Sequence, residues 1–286
     1  MEIIKISPQG YCNGVKYALK KVKETIDNPD MKRPIYLLGN LIHNKNVMNE
    51  IKKQGVIVLE GKKRYDLLDE IESGTVIFSA HGVSPRVYEK AKNKNLTIVD
   101  ATCPNVLIVH NQIMRYLNDG YEIIYIGTKS HPESEGVIEI SSHVHLISSE
   151  KEIDELSINT DKIFITNQTT LSIFDIVHIY DLLKAKYNKA IIDNKICLAT
   201  TKRQEALLDQ KGAKLCVVVG DKTSSNSQKL VSVSQNKANV ISYLVETKAD
   251  LDASWFRGVN KVSVTSGAST PENVTNEVIE AIKRMT

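Results

Sequence analysis

The stretch Val99-Asp100-Ala101-Thr102-Cys103-Pro104-Asn105 decides how the chain is read. An apolar strand ending at Val99 runs into a cysteine placed just before a helix. Val106, Val109, Ile113 and Leu117 give that helix an apolar stripe at helical spacing. The same arrangement occurs twice more. Ile3-Ile4-Lys5-Ile6 leads to Cys12, and Ala190-Ile191-Ile192-Asp193 leads to Cys197. Cys103 lies 91 residues after Cys12, and Cys197 lies 94 residues after Cys103. A near-constant interval marks an internal repeat, which outranks any local motif in reading a fold.

The chain has 286 residues, 42% of them hydrophobic and 25% charged, an ordinary composition for a soluble protein. Length alone suggests two domains; the repeat divides the chain into three small ones. A net charge of +3 suits an anionic small molecule or an acidic protein. No long Lys/Arg block points to nucleic acid. No segment approaches the ~20 apolar residues of a membrane span, and the N-terminus has no apolar signal-like core. A cytoplasmic protein is expected. Of the four cysteines, Cys216 lies in an apolar strand, Leu215 to Val219, and reads as a core residue.

Within each repeat, apolar strands alternate with helices and end in polar loops. In the first, the strand Ile35 to Leu38 ends in Gly39-Asn40-Leu41-Ile42-His43-Asn44, and the strand Thr75 to Phe78 ends in Ser79-Ala80-His81-Gly82. Ser84-Pro85 reads as the N-cap and first residue of a helix. In the second, Ile123 to Ile126 ends in Gly127-Thr128-Lys129-Ser130-His131-Pro132-Glu133, and Ile163 to Ile165 ends in Thr166-Asn167-Gln168-Thr169. In the third, Leu215 to Val219 ends in Gly220-Asp221-Lys222-Thr223-Ser224-Ser225-Asn226, and Lys261 to Thr265 ends in Ser266-Gly267-Ala268-Ser269. Alternation of this kind predicts parallel sheets. The third repeat lacks a closing strand, so the N-terminal strand is expected to join its sheet. The predicted fold is α/β: three pseudo-threefold-related units, 14–102, 103–196 and 197–286, the last completed by a strand within 1–13. Their small, mostly parallel sheets surround a central site.

Counted from each cysteine, the loops fall into register. His43, His131 and Asn226 lie 31, 28 and 29 residues on; His81, Thr169 and Ser269 lie 69, 66 and 72 residues on. Each loop leaves the C-terminal end of a strand and opens a helix, which is where parallel α/β folds bind ligands. Helix N-termini attract anions. Three histidines with serines, threonines and asparagine add donors, a diphosphate cradle without a Gly-rich phosphate loop. Taken singly, each Ser, Thr or Asn is an ordinary helix cap.

Three cysteines without a fourth at an equivalent place leave two options. One is a zinc ion with an added ligand. The other is a 4Fe–4S cluster with one iron free of protein ligands. Three ligands from three equivalent repeats suit the bulkier cluster. Glu133 and Glu135 sit in a first helical turn, where carboxylates are favourable anyway. In the proposed centre Glu133 would also be shielded from water, which raises a carboxyl pKa and fits it to donate a proton. His110 reads as packed, His143, His145 and His178 as structural, and Trp255 as packing.

At this point the motifs become recognisable. GYCNGV (10–15), IHN (42–44), FSAHGVS (78–84), DATCP (100–104), HPESEG (131–136), NQTTLS (167–172), CLATTKRQEA (197–206), SSNS (224–227) and GASTPE (267–272) together resemble the 4-hydroxy-3-methylbut-2-enyl diphosphate reductase family of the non-mevalonate isoprenoid pathway. The resemblance implies a trefoil of three α/β units around a 4Fe–4S cluster held by Cys12, Cys103 and Cys197. It implies reductive dehydroxylation of the allylic diphosphate to isopentenyl and dimethylallyl diphosphate. It assigns the diphosphate to His43, His81, His131, Ser224, Ser225, Asn226 and Ser269, and proton delivery to Glu133 assisted by Thr169. It also implies an electron donor protein of the ferredoxin or flavodoxin type. A zinc hydrolase and an iron–sulfur sensor are the competing readings; a sensor has little use for such a ring of donors.

Overall fold

The computed structural model describes residues 1–285. Strand β1 (Glu2–Lys5) precedes the first unit, which runs α1 (Asn13–Asp27), β2 (Ile35–Leu38), α2 (Lys45–Lys53), β3 (Ile57–Leu59), α3 (Arg64–Leu67), β4 (Thr75–Phe78), α4 (Pro85–Asn93) and β5 (Thr97–Asp100). The second runs α5 (Pro104–Asn118), β6 (Glu122–Ile126), α6 (Pro132–Ile138), β7 (Val144–Ile147), α7 (Lys151–Glu155), β8 (Ile163–Asn167), α8 (Ile173–Lys186) and β9 (Ile191–Ile192). The third runs α9 (Leu198–Ala206), β10 (Leu215–Val219), α10 (Ser225–Asn236), β11 (Ile241–Val245), β12 (Lys261–Ser266) and α11 (Glu272–Arg284).

The strands form three four-stranded sheets of matching order: β3-β2-β4-β5, β7-β6-β8-β9 and β11-β10-β12-β1. All the pairings are parallel, where the sequence predicted mostly parallel sheets. Parallel sheets are buried on both faces, so their central strands are continuous apolar runs. Ile163–Asn167 and Leu215–Val219 are accordingly buried at every residue. Each sheet lies between two apolar clusters. In the first, Ile35, Leu37 and Ile77 pack on one face and Leu38, Val76 and Phe78 on the other. Ile124 and Ile165 oppose Ile123, Tyr125 and Phe164 in the second. Val217 and Val264 oppose Cys216 and Val218 in the third.

Two short helices, α3 and α7, escape the sequence pattern; one spans four residues and the other five, too few for an apolar stripe to repeat. Ser84 is the N-cap of α4 with Pro85 at its first position, yet its side chain does not cap. Its hydroxyl donates instead to Glu139 Oε2 at 3.0 Å, linking the first unit to the second. Among the described residues, no helix is long and apolar enough to cross a membrane.

Candidate active site

Each of the three repeat cysteines is the N-cap of a helix: Cys12 of α1, Cys103 of α5 and Cys197 of α9. Each is tied to the end of a β-strand loop by the same bond. The N–H groups of Cys12, Cys103 and Cys197 donate to the carbonyls of Ala268, Ala80 and Thr169, each at 3.0 Å. This threefold pattern brings the sulfurs to the wall of one cavity. Gly14 also lines it. A Cβ at Gly14 would overlap Cys103 Sγ and lie 3.8 Å from Cys12 Sγ, so the missing side chain is what makes room for the sulfurs. Val15 N–H donates to Cys12 Sγ at 3.4 Å, and Thr200 Oγ1 lies 3.1 Å from Cys197 Sγ. Burial pushes the Cys103 thiol up to about 11 and raises that of Cys197. A cationic centre would therefore have to draw these sulfurs into the thiolate form itself. All three are free thiols. Among the described residues no group of three or more His, Cys, Asp or Glu side chains is placed to hold a metal ion.

His43, His81 and His131 line the same cavity. Their ring centroids are 4.7 Å (His43 to His81), 5.6 Å (His43 to His131) and 5.7 Å (His81 to His131) apart. Burial lowers all three pKa values, and the buried Arg64 guanidinium lowers them further. His131 falls to about 3. The rings are thus neutral at pH 7 and lack only an anion to offset the cost of charging them.

Glu133 is buried at 2% exposure. Thr169 holds it from two sides: its N–H donates to Oε1 at 2.8 Å and its hydroxyl to Oε2 at 3.0 Å. Tyr125 hydroxyl donates to Oε1 at 3.4 Å. Burial dominates these donors and raises the Glu133 pKa to about 7. Its carboxyl is therefore poised between acid and base near neutral pH.

The third unit contributes Ser224, Ser225 and Asn226 at the start of α10, and Ser269 after β12, all lining the same cavity. Ser224 hydroxyl oxygen caps the helix by accepting the Ser227 N–H at 3.3 Å. Asn226 is buried, and neither its amide nitrogen nor its amide oxygen has a partner. A buried amide left open at both ends is costly without a ligand. Ser269 hydroxyl donates to the His43 carbonyl at 2.8 Å, so in this state it braces the loop.

The cavity gathers the twelve residues singled out from the sequence. It also holds Gly14, Thr170 and Thr200, which the repeat register did not pick out. Two buried arginines behind it were missed as well. Arg64 pairs with Glu135 at 3.0 Å and so joins α3 to the helix carrying Glu133. Arg203 donates to the Gly10 carbonyl at 2.7 Å and fixes the loop before Cys12. Their partners lie far off in sequence, so only the fold reveals them. His110 is buried as expected, and Cys216 lies in the third core.

The chain matches the family model described as LytB protein over residues 3–283. It is 47% identical to a 4-hydroxy-3-methylbut-2-enyl diphosphate reductase of Brevibacillus brevis, covering 99% of this chain and 92% of that one. It is 46% identical to the enzyme of the same name from Symbiobacterium thermophilum, over 99% and 97% of the two chains. Its fold superposes with a TM-score of 0.90 on the structure of the E-1-hydroxy-2-methyl-but-2-enyl-4-diphosphate reductase from Plasmodium falciparum, 37% identical over 98% of this chain and 87% of that one. With motifs, fold and relatives agreeing from one end to the other, the chain belongs to the LytB family.

Proposed function

We propose that this protein catalyses the reductive dehydroxylation of 4-hydroxy-3-methylbut-2-enyl diphosphate to isopentenyl and dimethylallyl diphosphate, consuming two electrons and two protons. The observation that carries the reading is the single cavity. Three thiols from three units line it together with three histidines, a carboxyl with a pKa near 7 and an unsatisfied Asn226 amide. When bound, a 4Fe–4S cluster held by Cys12, Cys103 and Cys197 would supply electrons one at a time and a Lewis-acid iron free of protein ligands.

The chain's own residues bind, orient and protonate. The helix N-terminus at Ser224, Ser225 and Asn226 offers N–H groups and dipole to a phosphoryl group. His43, His81, His131 and Ser269 complete the grip. Fixing the charged tail restricts the short hydrocarbon to poses that present its hydroxyl to the rest of the cavity lining. That lining includes Glu133 and Thr169. Hydroxide is a poor leaving group, and a proton on the departing oxygen turns it into water. Protonated Glu133 donates from Oε2 to Thr169 Oγ1, whose own hydroxyl proton passes to the leaving oxygen; a hydroxyl can accept and donate at once. Burial by Tyr125 and the surrounding apolar strands keeps competing water out. A small electron-transfer protein of the ferredoxin or flavodoxin type would supply the electrons, and the cytoplasm suits such thiol chemistry.

The test is anaerobic purification followed by assay. The expected result is a brown protein containing iron and sulfide that converts the hydroxylated diphosphate when given a reductant. Stoichiometric zinc without sulfide would favour a hydrolase instead.

A further inference from the structure

His43 and His131 line one cavity but are held in opposite tautomers. At His131, Nδ1 accepts the Glu133 N–H at 3.1 Å. The neutral ring therefore carries its proton on Nε2 and is ready to donate. At His43, Nδ1 lies 3.3 Å from Thr223 Oγ1. That hydroxyl already donates its one proton to Asp221 Oδ1 at 2.6 Å. Thr223 can only accept from His43, so the neutral ring carries its proton on Nδ1. Its Nε2 is then a bare lone pair, buried and without a partner. A lone pair repels a phosphoryl oxygen; this ring binds one only after gaining a second proton.

Asp221 is placed to stabilise that second proton. It is buried, and it also accepts the N–H groups of Thr223 at 2.8 Å and Lys45 at 3.2 Å, which keep it ionised. The groups facing His43 from other elements oppose or ignore this effect. Arg64, His81 and His131 disfavour a charged ring, while Lys45 and Glu246 pair with each other at 3.0 Å. Burial outweighs Asp221 and holds the His43 pKa below its ordinary value, so the ring is neutral at pH 8.

We infer that Asp221 and Thr223 are positioning residues that couple diphosphate binding to uptake of one proton at Nε2 of His43. The inference rests on reading the cavity as a diphosphate site. The proton comes from solvent, forms an N–H bond and is donated to a phosphoryl oxygen; nothing is oxidised or reduced. His131 needs no such step, so the two rings divide the work: one binds with the proton it has, the other with a proton it acquires.

The experiment is anaerobic titration calorimetry of the cluster-loaded protein with isopentenyl diphosphate, in buffers of different ionisation heat. It is run at about pH 8, above the phosphate ionisation near 6, so that the ligand brings no proton. The wild type should take up about one proton per chain. Asp221→Asn and Thr223→Val should lose that uptake and bind about tenfold more weakly, the scale of one charge-assisted hydrogen bond. Thr223→Ser, which keeps the hydroxyl, should restore both. Binding with undiminished uptake in Asp221→Asn and Thr223→Val would overturn the inference while leaving the diphosphate site intact. No binding to the wild type would overturn the site itself, and the inference with it.

Discussion

At the scale of single residues, Glu133 carries the sharpest prediction. Its carboxyl is held by Thr169 and Tyr125, yet burial sets its pKa near 7. The acid form is the proton donor, so turnover should fall as pH rises through about 7. Glu133→Gln should lower turnover by about 10²- to 10⁴-fold, leave iron content unchanged and abolish that alkaline limb. A pH–rate profile with iron analysis checks both. The same shift acts on stability. A carboxyl whose folded pKa lies above its unfolded value stabilises the fold fully below the unfolded value of 4.5, and loses that contribution as pH rises through about 7. Gly14 gives a second prediction. Gly14→Ala places a methyl group where Cys103 Sγ stands, so iron and sulfide content should fall while the circular dichroism spectrum is retained. Full iron content in that variant would show that the sulfurs have room to spare.

At the scale of elements, helix starts do the positioning. Cys12, Cys103 and Cys197 all stand at helix N-caps, a place legible from the sequence because an apolar strand, a cysteine and an apolar stripe recur at near-equal intervals. The loops bearing His43, His131 and Asn226 were legible for the same reason: each follows the first strand after a repeat's cysteine. What the repeat hid are pairings between units. Arg64 reaches Glu135 across 71 residues and Thr223 reaches His43 across 180, and no local period encodes either. Arg64 is buried and pairs with Glu135, so Arg64→Ala removes the cation held against that carboxylate on α6. Loss of a buried pair's partner costs on the order of 3–5 kcal/mol; the Glu135 side chain, 25% exposed, puts this site at the lower end. A denaturant titration measures it. In the second core, Phe164 stacks on Tyr116 with ring centroids 3.9 Å apart. Phe164→Ala should cost about 3–5 kcal/mol through the cavity it leaves, with no direct effect on the thiols.

At the scale of the whole molecule, three sheets of one topology enclose one site, and β1 completes the third sheet by pairing with β12. This closure was legible because the third repeat lacked a final strand. The loop bearing Cys12 is likewise held by the third unit, by the Cys12 N–H on the Ala268 carbonyl and by Arg203 on the Gly10 carbonyl. The short helices α3 and α7 were not legible, since four or five residues show no period. A diphosphate that binds the native state alone should raise the melting temperature, by an amount that grows with its concentration.

The most direct measurement of the central claim is iron, sulfide and zinc per chain in anaerobically prepared wild type and in Cys12→Ser, Cys103→Ser and Cys197→Ser. Iron and sulfide in near-equal amounts, lost from each of the three variants and unaffected in Cys216→Ser, is the result that convergence of three repeats on one inorganic core requires. Zinc in place of iron and sulfide, or a full complement retained in any one of the three variants, would contradict it.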